Sequence, residues 1–456
     1  MKSVHCKNGS ASRLPVRKKI GFGIADIGGN LFFTAMGFWS LTYLTDTVYL
    51  APALAGIAVM VAKLWDAVTD PLVGYLSDNT RTRWGRRRPY LLFGALPFGF
   101  FLWLFFTNPH IQHQTTLFYW ALAILCLLNT AMTCVNIPYS ALTPELTSDY
   151  NEQTSLNSYR FACAGIGTII GAIVVMPVVG AFPSKSAGFS AAGALIGSML
   201  VISTLITFFS VKEPACSYET AAEKKPPFFS AYRSVFKNRA YCILLVVFVL
   251  HITALNFLQT MVVYYLKYIY QAEQFSSTVM GALLICALLA IPIAALLSKK
   301  CTKRTSYRIG LSVLAAAGII IFFIGHRIGL TGLLILFIGA GIGVGFAFAT
   351  PWAMLPDAIA SGSEAVHNEG CYYGVWTFAS KLGQAVSTGT AGVLLSMSGY
   401  LAGSVQSDGT ILTIRLISGP VPAAICLIGA ALLHFYIPPK KRQYKKSTTP
   451  AQRFGV

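Results

Sequence analysis

The chain has 456 residues, of which 55% are apolar and only 11% charged, with a mean hydropathy of +0.62. That balance excludes an ordinary soluble enzyme and places the chain in a membrane. The formal net charge of +19 could suit nucleic acid, but 28 of the 35 Lys and Arg fall in five groups between apolar stretches, a pattern of membrane topology.

A spanning helix needs about 20 apolar residues. Twelve such stretches begin near Ile20, Ala51, Tyr90, Thr116, Ser155, Gly188, Ala240, Ser276, Ser306, Thr331, Gly370 and Ile411. They predict an all-α membrane protein with twelve transmembrane helices. The polar, basic residues before Ile20 do not resemble a cleaved signal peptide, so the first helix is expected to be its own insertion signal. The basic groups lie before Ile20, in Arg81–Arg88, in Lys212–Arg239, in Lys299–Arg308 and from Lys440 onward. Alternating helices put all five on one side, cytoplasmic by the positive-inside rule, together with both termini. The expected organisation is a tail over 1–19, a six-helix bundle over 20–210, a linker over 211–239, a second bundle over 240–437 and a tail over 438–456. The linker is marked by Glu213-Pro214 and Lys224-Lys225-Pro226-Pro227. The ten Cys include no C-x-x-C pair and read as small apolar packing residues. The Asn8-Gly9-Ser10 sequon falls on the predicted cytoplasmic side and is expected to be idle.

The two halves echo each other. Pro138-Tyr139-Ser140-Ala141-Leu142-Thr143-Pro144-Glu145 leaves the fourth helix much as Pro351-Trp352-Ala353-Met354-Leu355-Pro356-Asp357 leaves the tenth. Six helices return the chain to its starting side, so such repeats share one orientation, related by an axis along the membrane normal. This architecture resembles the major facilitator superfamily. Gly-rich stretches, as in Gly165-Ile166-Gly167 and Gly339-Ala340-Gly341, suit close helix approach, whether static or sliding.

An ionised Asp near the bilayer centre costs roughly 2.5–3.5 kcal/mol on insertion scales. Asp66 and Asp70 nevertheless lie one turn apart on one face of the second helix, with Lys63 on that face too. Two like charges there require a cation, a proton or a neighbouring base, so the pair points to an ion pathway. Other polar residues expected in the spans are Asp26 and Asn30, then Asn129, Thr133 and Asn136, then Arg160, His251, Asn256 and Gln259, and finally Thr377, Lys381 and Gln384. Turn-to-turn spacing puts Asn129, Thr133 and Asn136 on one face, and likewise Thr377, Lys381 and Gln384. Such faces suit an aqueous cavity for a hydroxyl-rich solute; cross-links within the bundle are the competing reading. His251 reads as a helix–helix hydrogen-bonding residue. Asp78, Arg83, Arg86, Glu145 and Asp357 lie at the cytoplasmic mouth, where charge pairs can latch one conformation.

Trp65-Asp66-Ala67-x-x-Asp70-Pro71-x-x-Gly74, followed by Arg83-Trp84-Gly85-Arg86 and Pro89, resembles the glycoside–pentoside–hexuronide:cation symporter family. Asn136-Ile137-Pro138-Tyr139, Tyr159-Arg160-Phe161 and Thr377 with Lys381-Leu382-Gly383 extend the likeness along the chain. The resemblance implies that Asp66 and Asp70 are the cation-site acids, with Thr133, Asn136 and Thr377 near them; if the ion is sodium, the two acids are its metal ligands. It implies solute contacts from Asn30, Tyr139, Arg160, Lys381 and Gln384, with Lys63 a basic neighbour and part of the gating set. Asn136 and Asn30 stand where the best-known member carries Asp, which puts galactoside recognition in doubt and leaves sodium against proton open. The family's animal relatives include a sodium-dependent lysophospholipid carrier, which Pro138-Tyr139-Ser140-Ala141-Leu142 and Trp352-x-Met354-Leu355-Pro356-Asp357 also resemble.

The expected function is secondary active transport: sodium- or proton-coupled symport of a sugar or glycoside by alternating access. The alternatives are an amphiphile carrier of the same fold and a non-transporting membrane sensor. No cofactor besides the coupling ion is expected, and the expected partners are a small solute and the bilayer around a monomer, in the plasma or inner membrane. No nucleophile elbow, phosphate loop or metal-spaced His/Cys cluster suggests an enzyme.

Overall fold

The computed structural model describes residues 14–147, 149–213, 235–361 and 369–437. The expected tails before residue 14 and after 437, and most of the expected linker, lie outside the described residues. The long helices are α1 (Val16–Asp46), α2 (Pro52–Asn79), α3 (Arg88–Phe105), α4 (Gln114–Leu146), α5 (Tyr150–Ile173, continued by Val175–Gly180) and α6 (Lys185–Ser210). They are followed by α7 (Arg239–Tyr268), α8 (Ser276–Lys300), α9 (Lys303–Phe323), α10 (Gly329–Ala360), α11 (Glu369–Met397) and α12, in two pieces over Asp408–Ser418 and Pro420–Leu432.

Among the described residues, ten helical stretches are long and apolar enough to cross a membrane. The two that are not among them, α1 and α11, have the length, 31 and 29 residues, but carry Asp26 and Asn30, and Thr377, Lys381 and Gln384. Polar content of this kind belongs on helices that face an interior rather than lipid.

Helix starts follow local chemistry. Asp149, Ser184, Asn238, Thr302 and Ser407 each cap a helix by accepting a backbone N–H in its first turn. Pro52 and Pro89 open α2 and α3, where a missing N–H costs nothing. Internal prolines such as Pro71, Pro138 and Pro351 stay within helices, as packed spans allow.

Packing repeats with a period of six helices. The contacts α1–α5, α1–α6, α2–α4, α3–α4 and α3–α6 recur as α7–α11, α7–α12, α8–α10, α9–α10 and α9–α12. Small residues set the closest approaches: a Cβ on Gly167 would lie 2.2 Å from the Ile27 carbonyl oxygen, and one on Gly345 would lie 2.2 Å from that of Ala287. Between the first and last six helices, α2 packs on α11, α1 on α7 and α5 on α8. The α2–α11 approach is close enough that a Cβ on Gly392 would meet the Pro52 carbonyl oxygen at 2.4 Å.

Candidate functional site

The α2–α11 seam carries the buried charges. Asp66 and Asp70 project from adjacent turns of α2, and the Lys381 ammonium on α11 bridges them, 2.6 Å from Asp66 Oδ2 and 2.5 Å from Asp70 Oδ2. From α4, the Thr133 hydroxyl donates to Asp66 Oδ1 at 2.7 Å and lies 3.2 Å from Asp70 Oδ1. Asp66 is only 5% exposed and Thr133 fully buried. The Thr69 hydroxyl donates to the Asp66 carbonyl oxygen at 3.1 Å. One turn before Asp66 on α2, Lys63 Nζ donates to Gln384 Oε1 at 3.0 Å, again from α2 to α11. The α11 strip is anchored from behind: the Asn256 amide on α7 donates to Ser387 (2.8 Å) and Thr388 (2.7 Å). Two acids and two ammonium groups therefore compensate one another where helices from the two ends of the chain meet.

The structure thus gathers Asp66, Asp70, Thr133 and Lys381 into one cluster, and extends it with Lys63 and Gln384. Two residues expected there take no part in its hydrogen bonds among the described residues. Thr377 sits one turn before Lys381, exposed, and its hydroxyl donates to the Tyr373 carbonyl oxygen of its own helix at 3.0 Å. That backward bond is the one a helical Thr readily makes. Asn136 is half-buried on α4, a turn from Thr133.

Arg160 belongs to a second cluster, apart from Lys381. Its Nε donates to Asp26 Oδ2 at 2.8 Å and to the Tyr139 hydroxyl at 3.1 Å, Nη1 to the Thr143 hydroxyl at 2.8 Å, and Nη2 to Asp26 Oδ1 at 3.3 Å. The guanidinium also lies over the Tyr139 ring, 4.5 Å from its centre, and the Tyr139 hydroxyl donates to Asp26 Oδ2 at 2.6 Å. Asn30 Nδ2 donates to the Asp26 carbonyl oxygen of its own helix at 2.9 Å. Two of the residues expected to contact solute, Tyr139 and Arg160, are thereby engaged in tying α1, α4 and α5 together, while the bond of a third, Asn30, stays within α1. Arg160→Ala is expected to lower the thermal stability of the purified protein by the roughly 3–5 kcal/mol that stripping a buried acid of its partner costs. An unchanged melting transition in detergent would refute this cross-link.

At the end where α1 begins and α12 finishes, charges pair within each set of six helices. Arg86 and Arg87 both reach Glu145, the latter at 3.3 Å, and Arg87 also pairs with Asp78 at 2.8 Å. The Glu213 carboxylate accepts the backbone N–H groups of Arg86, Arg87 and Arg88 at 2.6, 2.7 and 2.8 Å. Gly85, at φ +109°, makes the turn and leaves space that the Glu213 carboxylate fills. Arg83 is exposed, its guanidinium 4.4 Å from the centre of the Trp84 ring. In the other set, Lys303 pairs with Asp357 at 2.6 Å, so the Pro-acid echo of Glu145 and Asp357 extends to basic partners. Lys63, expected in this gating group, lies instead in the α2–α11 seam.

Bonds between the two sets gather at mid-span and at the opposite end. There Asp46, with its side chain 3% exposed, pairs with Lys267 of α7. It also accepts from Thr45 (2.8 Å), Tyr268 (3.0 Å) and Tyr400, while Thr45 and Tyr264 share a 2.7 Å bond. Sequence reasoning missed Asp46, Lys267, Glu213 and Lys303; the dense run Tyr264-Tyr265-Leu266-Lys267-Tyr268 was the available signal for the first pair. His251, expected to hydrogen-bond between helices, is 1% exposed and packs against the rings of Phe248 and Tyr307, with no hydrogen-bond partner for either ring nitrogen among the described residues.

A helical protein of many spans, with compensated charges buried where its two sets of helices meet, is a membrane protein of the transporter class. The chain belongs to the MFS/sugar transport protein family, which it matches over residues 21–438. It is 28% identical to the sodium-dependent lysophosphatidylcholine symporter 1-A of Danio rerio, over 94% of this chain and 87% of that protein. It is 26% identical to a putative sulfoquinovose importer of Escherichia coli, over 93% of this chain and 91% of that one. A bacterial homologue of the human lysosomal transporter Spinster, solved inward-facing and unoccupied, superposes with a TM-score of 0.69 at 12% identity, over 96% of this chain and 98% of its own. The resemblance to the glycoside–pentoside–hexuronide:cation symporters and the major facilitator fold are both borne out.

Proposed function

We propose that this protein is a cation-coupled symporter that carries a sugar or glycoside by alternating access, with Asp66, Asp70 and Thr133 receiving the coupling ion. The observation that carries the reading is the Lys381 ammonium held between both carboxylates. It occupies the place of a small cation and comes from the other set of six helices. A sodium ion or proton arriving at the acids weakens their hold on Lys381, so ion binding loosens the α2–α11 tie. That is the differential interaction a conformational equilibrium needs before a ligand can shift it. Solute would be bound beside the released Lys381, Lys63 and Gln384, with Thr377 and Asn136 on the neighbouring turns. The seal around Asp46 suits an inward-facing state, the bundles over 20–210 and 240–437 rocking as units, monomeric in the plasma or inner membrane with both termini cytoplasmic.

A second reading is an amphiphile carrier. The residues flanking the charged strip on α2 are strongly exposed apolar ones, Val68 at 64% and Leu72 at 56%, and the Danio rerio relative is a lysophosphatidylcholine symporter. Uptake of labelled glycosides, pentosides and lysophospholipids into proteoliposomes, under an imposed sodium or proton gradient, separates the two. Gradient-driven accumulation of a sugar supports the first reading and names the ion. Movement of lysolipid alone replaces it with the second, and no movement under either gradient removes the role given to Asp66 and Asp70.

A further inference from the structure

We infer that the groove between the start of α1 and the end of α6 is a binding site for an anionic phospholipid of the leaflet on the side where α1 begins. The groove measures about 670 Å³. Its floor is apolar, formed by Ile202, Leu205, Ile206 and Phe209, with Phe209 73% exposed, and its mouth carries Arg17, Lys18 and Ser210. An acyl chain fits such a floor, and a phosphate fits two cations at the membrane surface.

The use of the three consecutive basic residues is what sets this groove apart from topogenic charge alone. Lys19 turns inward, pairing with Glu152 at 2.9 Å and donating to Ser155 at 2.9 Å. Arg17 and Lys18 are exposed and have no acidic partner among the described residues. Their charge is therefore directed at the groove mouth without compensation. The walls are also held in place. The Thr207 hydroxyl donates to the Gly21 carbonyl oxygen at 2.8 Å and accepts from the Ala25 N–H at 3.0 Å, locking α6 to α1 just beneath the groove. Both helices belong to the first six, so the site keeps its shape whatever the two sets do relative to each other.

Native mass spectrometry of the full-length protein, with dioleoyl phosphatidylglycerol and dioleoyl phosphatidylcholine offered in equal amounts, tests the inference. Retention of phosphatidylglycerol over phosphatidylcholine is expected. Arg17→Gln/Lys18→Gln is expected to reduce that preference by roughly 5- to 30-fold, at about fivefold per basic residue. Ile206→Trp fills the groove without touching the charges that guide insertion, and is expected to reduce phosphatidylglycerol retention as well. Lys299→Gln/Lys300→Gln, at an exposed basic pair on α8, is expected to leave the preference intact. Equal retention of the two lipids by the native protein, no effect of Ile206→Trp, or an equal loss in the α8 variant would each overturn the assignment.

Discussion

Asp70→Asn is expected to abolish gradient-driven accumulation of solute in proteoliposomes while the protein still inserts and folds. Lys381 keeps Asp66 as a partner in this variant, and Thr133 keeps its shorter bond, also to Asp66. What is lost is the second carboxylate that a small cation would need. Removing one member of a buried charge set costs roughly 3–5 kcal/mol, which is about a hundred- to a few-thousandfold in the equilibrium the set controls. Lys381→Gln is the informative companion. It leaves two carboxylates on one helix face sharing one hydroxyl, so it is expected to lose stability at low ion concentration and regain it when the coupling ion is added. The double variant Asp70→Asn/Lys381→Gln removes one charge of each sign and is expected to recover stability without recovering accumulation. Full accumulation by Asp70→Asn under either gradient would rule out this site.

Opening the opposite end is the second large effect. Asp46 is held by Lys267, Tyr268 and Tyr400, all from the last six helices. Asp46→Asn removes the charge that draws these donors together and leaves Lys267 without its acid. Losing one partner of a buried, hydrogen-bonded charge pair costs about 2–5 kcal/mol, enough to shift a two-state equilibrium by more than tenfold. A cysteine placed at Thr42, one turn before Asp46 and 2% exposed, reports the shift in a background stripped of native cysteines. Its modification by a membrane-impermeant maleimide, added on the side where α1 ends at Asp46, should rise at least tenfold in Asp46→Asn. Tyr400→Phe, which removes a single neutral donor, should produce a smaller rise. Unchanged labelling in both variants would mean that the cluster does not close this end.

The helices and the core of the α2–α11 charge cluster were legible in the sequence for the same reason. Apolar runs of spanning length locate helices, and a charge inside such a run is conspicuous because lipid makes it costly. Asp66, Asp70 and Lys381 stood out in this way. Their pairing did not, because α2 and α11 lie far apart in the chain and periodicity places residues on a face without saying which face meets it. Arg160 shows the same gap: both it and Asp26 were visible as expensive residues, yet their mutual bond, across 134 positions, turns an expected solute contact into a cross-link. Asp46 and Lys267 escaped notice because they sit at helix ends, where a charge is ordinary. Thr377 and Asn136 were placed near the acids by the family resemblance, which carries over a backbone position but not the direction of a short side chain.

The balance of charges in the α2–α11 seam has an electrical consequence. Lys63, Asp66, Asp70 and Lys381 sum to zero in their ordinary ionisation states, so under the function proposed above this cluster would contribute no net valence to the reorientation of the empty carrier. Each uncompensated elementary charge moved through 100 mV exchanges about 2.3 kcal/mol with that field. The unloaded return step of that proposed cycle would thus be insensitive to membrane voltage at this site. Under the function proposed above, the same cluster with a coupling cation and a neutral solute aboard would carry one positive charge, and the loaded step alone would be driven by a negative interior.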